Sequence, residues 1–477
     1  MKALKRILLG IGIIVLAGVS IIIGSVIIDS YNTSYLKISK HPKWSNKSYL
    51  LKNINIIPMT SDTVLRRKMV LIKDGLISEI SDDISTSGIA VIDGKDGYLM
   101  PGLMDMHVHV WDDYELGLYL ANGVTTLRNL WGQPMHLRMK KSISKEEIIA
   151  PMFFTSSPKL TGPNFMGDDN LQLLTPEQAR KKVREYQERG YDFIKTYNGL
   201  PENLFNAILQ ESKLQNLDIV AHPSAEVPYS YHFKPEIISI EHAEDIVQQP
   251  LEYRLDTAKL NKVVDLFTSS PDAALCPTLT VYHNIYRLIS EDEILNAKAM
   301  RYMNPLILSV DSKAQYDRWT QANSVDPSTE GRIKAQHEFH LLAVKKLHER
   351  GVNIVAGTDA GIGVTLPGYS IHQELEFYTQ AGMSHFEAIK TATINPTKTH
   401  DFLKNLGSIE IGKTANLLLL RENPLEDLSH LKEPKLLFIQ GRKISRKTLN
   451  NFENRAQNRN NLIVSVLRYV EYLMVER

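Results

Sequence analysis

Histidine, lysine and aspartate stand in this chain at the ends of short apolar runs, and together they could hold divalent cations. His107-Val108-His109 closes the run Leu103-Met104-Asp105-Met106, which starts after the turn-forming pair Pro101-Gly102. Side chains two apart on a strand project from the same face, so both imidazoles can reach one ion. With 15 histidines in the chain, such a pair also arises without any function. Lys195 closes Asp192-Phe193-Ile194. Its ammonium would be costly to bury, so it either snorkels or pairs with an acid. Beside cations it has a third fate: it loses its proton and adds carbon dioxide, giving a carbamate that bridges two ions. His222 follows Ile219-Val220-Ala221, and His242 follows Ile238-Ser239-Ile240-Glu241. Asp359 lies in Ile354-Val355-Ala356-Gly357-Thr358-Asp359-Ala360-Gly361, where capping a helix is its plainer role. Each position alone has an ordinary structural explanation. Six of them, all at predicted strand ends, are hard to explain by packing.

The elements that would position these residues are short strands alternating with amphipathic helices. Parallel βα units follow from that alternation, and over residues 100–405 a closed (β/α)8 barrel fits, with its site at the C-terminal strand ends. An open doubly wound sheet is the alternative, but no GxGxxG follows a strand. Residues 50–99 and 406–447 read as β hairpins on both sides of the barrel, pairing into one small β-sandwich domain. Residues 284–348 are longer and more helical than a βα loop requires and read as an inserted cover. Residues 29–49 are polar and read as a linker, and 448–477 as a helical tail.

Lys plus Arg total 55 against 54 Asp plus Glu, a net charge of +1, which excludes an electrostatic footprint for nucleic acid. Cys276 is the single cysteine, so a cysteine-built metal site is excluded and ligands must come from His, carboxylates or modified Lys. Residues 1–28 are the one strongly biased segment. Lys2, Lys5 and Arg6 precede an uncharged apolar stretch from Ile7 to Ile28. As a helix it is about 33 Å long, enough for a single-pass transmembrane helix. A cleaved signal sequence is the alternative, leaving the protein secreted or periplasmic. The leading basic residues place the N-terminus in the cytoplasm and the catalytic part outside, on the periplasmic side in a double-membraned bacterium.

The ordered set and its flanks resemble the amidohydrolase superfamily, in its dinuclear branch of imidazolonepropionase-like and Xaa-Pro dipeptidase-like proteins. The resemblance runs from about Asn53 to Gly441. It is carried by the strings from Met100 to His109 and from Asn122 to Arg128, and by His372-Gln373-Glu374-Leu375, Ala381-Gly382-Met383-Ser384 and Ala392-Thr393-Ile394-Asn395-Pro396. It implies that His107 and His109 bind one metal, His222 and His242 the other, that Lys195 bridges them as a carbamate, and that Asp359 touches the first. A hydroxide shared by the two ions would attack the carbonyl of a small amide or dipeptide-like substrate, with Asp359 carrying the proton to the leaving nitrogen. Zinc suits these donors most readily, with manganese, iron or cobalt as alternatives. Tyr231, Tyr282, His283 and His372 are the candidate substrate contacts, each near a predicted strand end. A mononuclear cyclic amidine or lactam hydrolase, or a deaminase, is the rival chemistry. A membrane-tethered binding protein without catalysis is the rival of another class.

Overall fold

The computed structural model describes residues 2–85, 87–165 and 171–476. Leu-, Ile- and Val-rich strands begin the folded part: β1 (Tyr49–Ile56), β2 (Leu65–Lys73), β3 (Leu76–Ser81) and β4 (Val91–Pro101). At the tip of the β2–β3 hairpin, Asp74 and Gly75 both have positive φ, at 51° and 86°, the conformation a tight hairpin turn demands. The chain then enters β5 (Leu103–Val108), β6 (Val124–Asn129), β7 (Met152–Thr161), β8 (Leu171–Gln172), β9 (Phe193–Thr196), β10 (Ile219–Ala221), β11 (Ile237–Glu241) and β12 (Ala274–Cys276). After a run of helices, β13 (Leu417–Leu420), β14 (Leu436–Ile439) and β15 (Arg442–Ser445) return to the first sheet.

That first sheet is mixed, in the order β15-β14-β13-β4-β1-β2-β3, and is separate from the barrel. β4 runs parallel to β1 and antiparallel to β13, with Leu99 opposite Leu419. The second sheet is parallel in the order β5-β6-β7-β9-β10-β11-β12, with β8 on the edge of β7. Residues 353–360 supply the eighth stave. They close the ring through scattered backbone bonds, Leu275 N to Asn353 O at 2.9 Å, Val355 N to Leu275 O at 2.9 Å and Met106 N to Ala356 O at 2.8 Å. The result is the expected (β/α)8 barrel. Its bore is packed with Met104, Met106, Cys276 and Val355 against Leu403 and Leu406.

Gly357 allows this seam to close. A Cβ there would sit 2.4 Å from Cys276 Sγ and 2.8 Å from the backbone nitrogen of His107. Both neighbours belong to barrel staves, so neither yields cheaply. Gly357→Ala is expected to cost about 1–3 kcal/mol of stability. A denaturation midpoint equal to wild type would show that the seam has slack.

The helix Lys2–Asn32 is uncharged and apolar from Ile7 to Ile28, and its most apolar 18-residue window has a mean hydropathy of 2.9 with none of that window buried. The stretch after it, expected as a loose linker, is instead a series of single turns bound to the barrel. Ile149 N donates to Leu36 O at 2.8 Å and Ile38 N to Glu147 O at 3.0 Å. Tyr35, Leu36 and Trp44 are buried, with the Tyr35 ring 5.4 Å from Phe452. A few apolar side chains in a polar stretch suffice to dock it.

The inserted helices include Leu279–Ser290, Lys313–Val325 and Thr329–Glu349. A single π turn, Leu308–Ser312, holds them over the glycine-rich loop that follows Asp359. Asp311 accepts from Gly363 N at 2.7 Å, and the Ser312 hydroxyl donates to Gly363 O. The tail forms Arg446–Gln457 and Leu462–Glu476. Between them Arg459 pairs with Asp112, just past His109, at 2.9 and 3.0 Å.

Candidate metal centre

All six predicted ligand positions lie at one rim. His107 is the last residue but one of β5 and His109 follows it, Lys195 is inside β9, His222 follows β10, His242 follows β11, and Asp359 lies at the end of the eighth stave. Parallel strands in register force this convergence: Lys195 pairs with Val220, and Glu241 with Cys276. Backbone conformation adds to it. His242 and Asp359 have φ of 68° and 58°, and Thr278 at the end of β12 has 49°. Non-glycine residues rarely adopt this conformation, and where they do the surrounding fold holds the strain.

The imidazoles nearly touch. Ring centroids are 5.5 Å apart for His107 and His109, 4.7 Å for His107 and His242, and 4.7 Å for His222 and His242. Asp359 Oδ1 is 3.2 Å from His107 Nε2 and 2.7 Å from His109 Nε2. Donor atoms of His107, His242 and Asp359 all lie within 4.8 Å of one another.

Burial and charge set the protonation states. Burial drives the His242 imidazole down to about 3, and lowers His109 and His222 as well, so these rings are neutral and free to donate lone pairs. Burial raises the Asp359 carboxyl, but His107 and His109 outweigh it and hold it well below the usual range. Burial also lowers Lys195 to about 8, against the opposing pull of Glu241 and Asp359. At pH 7 roughly one such amine in ten is then neutral, compared with about one in a few thousand for an ordinary lysine. Lys195 Nζ is buried and has no hydrogen-bond partner among the described residues. An amine in that state, flanked by neutral imidazoles and an ionised carboxylate, suits a donor set for cations: the cluster supplies lone pairs and an anion.

Several supporting residues escaped the sequence reading. Glu241 Oε2 accepts from His107 Nδ1 at 2.7 Å, and Glu241 Oε1 from Arg128 Nη2 at 2.9 Å. Arg128 also donates to Met106 O at 2.6 Å and Ser239 Oγ at 3.0 Å, and Ser239 in turn donates to Glu241. Burial raises the Glu241 carboxyl, but Arg128 and His107 overcome this and keep it ionised. The second nitrogen of His107 is thereby left facing Asp359. Thr278 Oγ1 lies 2.8 Å from His242 Nδ1, and Asp245 Oδ2 lies 3.5 Å from His222 Nε2. Glu241 precedes His242 and Arg128 ends a quoted string, so both were visible in the sequence. Their pairing depends on strands that meet only in space.

The wall above the cluster is aromatic and cationic. Tyr197 stacks on His222 at 4.2 Å, and Trp131 lies 6.3 Å from His109. Lys159 Nζ stands 4.4 Å from the Trp131 ring and 5.1 Å from Tyr197. Among the four candidate substrate contacts, Tyr282 is buried close enough to Glu244, two residues past His242, for that carboxylate to raise its hydroxyl further after burial. The other three have partners outside the cluster. Tyr231 donates to Asn206, and His283 packs 4.9 Å from His337 and 5.0 Å from Phe377. Burial lowers His372, which neighbours Lys432 and the backbone of Asn122.

A sequence model of the amidohydrolase family matches residues 119–444. Ochratoxinase from Aspergillus niger is 24% identical over 403 residues, covering 71% of this chain and 73% of its own. Among solved structures, bottromycin amidohydrolase superposes with a TM-score of 0.73 at 20% identity, covering 89% of this chain and 92% of its own. A Xaa-Pro dipeptidase with methionine in its active site gives 0.62 at 20% identity, covering 83% and 100%.

Proposed function

The chain belongs to the amidohydrolase family and is a hydrolase acting on carbon–nitrogen bonds, and from that premise we propose that it cleaves the amide of a dipeptide or N-acyl amino acid at a two-metal centre. His107, His109 and Asp359 would hold one ion, His222 and His242 the other, and Lys195, as a carbamate, would bridge them. The observation that carries this reading is the buried Lys195 amine, without a hydrogen-bond partner among the described residues, close enough to His222, His242 and Asp359 to interact with each. When bound, two divalent cations lower the pKa of a water they share and polarise a carbonyl oxygen, with zinc the best match to these donors.

The protein's own groups do the remaining work. Asp359, ionised and 2.7 Å from His109, accepts the proton of the attacking water and returns it to the leaving nitrogen, which departs poorly as an anion. Glu241, fixed by Arg128, orients His107 and sets its tautomer; Thr278 does the same for His242. Trp131 and Tyr197 give the substrate apolar walls that exclude water. The printed names of the relatives, a dipeptidase and an ochratoxinase, support a small amide as substrate. The helix Lys2–Asn32 is read as a single-pass anchor with the barrel outside the cytoplasm, because Lys2, Lys5 and Arg6 lie at its start, before its apolar stretch. A cleaved signal is the alternative.

Lys195→Ala tests the centre. Wild type is expected to carry about two metals per chain. The variant is expected to lose one or both, with hydrolysis of a dipeptide and N-acyl amino acid panel, and to regain part of each when a short carboxylic acid is added. Elemental analysis and initial rates read both outcomes. Equal metal and turnover in the two proteins would sink the reading, and a wild-type count of one would favour the mononuclear hydrolase or deaminase.

A further inference from the structure

Helices on water-soluble domains hide their apolar side chains and display their charges; Leu462–Glu476 buries one apolar face and displays a second. Its exposed residues are Leu462, Ile463, Val466, Val470, Met474 and Val475, all apolar, with Met474 at 80%. Its charged residues are tied to the rest of the protein, Glu476 buried, Arg468 largely so, and Glu471 in a pair at the surface. Arg468 reaches Asp29 at 3.2 Å and Asp113 at 3.3 Å, Glu471 meets Arg138 at 2.6 Å, and Glu476 meets Arg189 at 2.5 Å. Leu462, Val466, Val470 and Met474 are four residues apart and form one stripe along the outer face. An unbroken apolar stripe of this kind marks a surface that is covered in use.

The position of the stripe identifies the cover. Asp29 lies near the end of the apolar helix Lys2–Asn32, so the Arg468 pair fixes the two helices together where the first leaves its apolar span. Lys37, Lys40 and Lys43, exposed just beyond, complement phosphate headgroups. Asp113, the other partner of Arg468, opens the helix that follows His109, so this junction sits at the catalytic end of the barrel. On the inner side of the helix, Tyr472 lies 5.5 Å from Trp131, which is 6.3 Å from His109. The same helix therefore carries an apolar outer stripe and backs the wall of the site.

We propose that Leu462–Glu476 lies in the bilayer surface as a second membrane contact, turning the catalytic end of the barrel toward the lipid and admitting amides that carry an apolar chain. This rests on reading Lys2–Asn32 as a membrane span and the centre as an amide hydrolase. An in-plane helix buries its apolar face about 5–10 Å into the headgroup boundary, which is the depth to be measured.

The full chain, reconstituted in phosphatidylcholine–phosphatidylglycerol vesicles, is labelled with a fluorophore at Val470→Cys or Met474→Cys. Leu214→Cys, 77% exposed on another helix, is the control, and the buried Cys276 stays unlabelled. Lipids spin-labelled near the headgroup are expected to quench positions 470 and 474 severalfold more than 214. Equal quenching at the three sites, or a disulfide between copies through position 470, would overturn the proposal, the latter in favour of a dimer. In a second arm, Val466→Glu/Val470→Glu/Met474→Glu should hydrolyse a water-soluble N-acetyl amino acid as wild type does, yet lose most turnover on an N-palmitoyl amino acid in vesicles. An unchanged ratio of the two rates would also overturn it. If wild type hydrolyses neither amide, the amide reading falls while the quenching still decides the surface. Release of the full chain by carbonate washing removes the span, and this contact with it.

Discussion

Asp359→Asn is expected to lower kcat by about 10²–10⁴-fold while the metal content stays at the wild-type level. Asparagine accepts the positive φ of 58° at this position almost as readily as aspartate, so the loop keeps its path. Its amide oxygen still faces His107 and His109, which Asp359 Oδ1 approaches to 3.2 and 2.7 Å. What the variant lacks is a group that can take a proton from water and release it to nitrogen. Because the carboxyl is held well below its usual range, it is ionised throughout the neutral region, and its loss should be felt equally across that region. Turnover and elemental analysis on the same preparation separate the two effects. A kcat within tenfold of wild type would remove Asp359 from proton transfer; loss of metal would make it a ligand first.

Arg128→Met is the second large effect, and it concerns stability. Glu241 has no exposed surface, and Arg128 supplies its main compensation. Removing one partner of a buried pair leaves the other charge stranded, at about 3–5 kcal/mol. Arg128→Met/Glu241→Leu removes both charges and should recover most of that loss, since a buried pair can often be replaced by apolar residues at little cost. It should not recover metal binding. His107 would have lost the carboxylate that orients it, and removing such a partner costs about 10–100-fold in affinity. Urea midpoints and metal titrations on the single and double variants check this. A double variant as unstable as the single would mean that shape, and not charge, is what the pair contributes.

The strand ends were legible in the sequence because each closes an apolar run, though each residue there has an ordinary structural role open to it and only the ordered set of six points to a site. The barrel followed from their alternation with helices. Glu241 and Arg128 were not legible as a pair: each sits in its own strand, and only register across the sheet brings Arg128 Nη2 to 2.9 Å from Glu241. Residues 29–49 read as a linker because polar residues outnumber the three that matter, Tyr35, Leu36 and Trp44, which bury themselves on the barrel. Tyr231, His283 and His372 were chosen for nearness to strand ends along the chain. Direction decides such contacts, and it is set by helix faces that a linear reading does not resolve. The sequence marks 448–477 as a helical tail. That its outer face is apolar while Arg468 and Glu476 pair inward requires knowing where Asp29, Asp113 and Arg189 lie.

The pairing of Leu99 with Leu419 constrains how the molecule is made. β4 leaves the ribosome early, and its antiparallel neighbour β13 emerges only after the whole barrel. Throughout that interval one edge of β4 has open hydrogen-bonding groups and leucines that await a distant partner. Loop closure over so long a separation slows assembly, and a nascent chain with an unpaired edge is prone to join another. Were the Lys2–Asn32 helix inserted in a membrane during synthesis, neighbouring nascent chains would be kept apart during that wait.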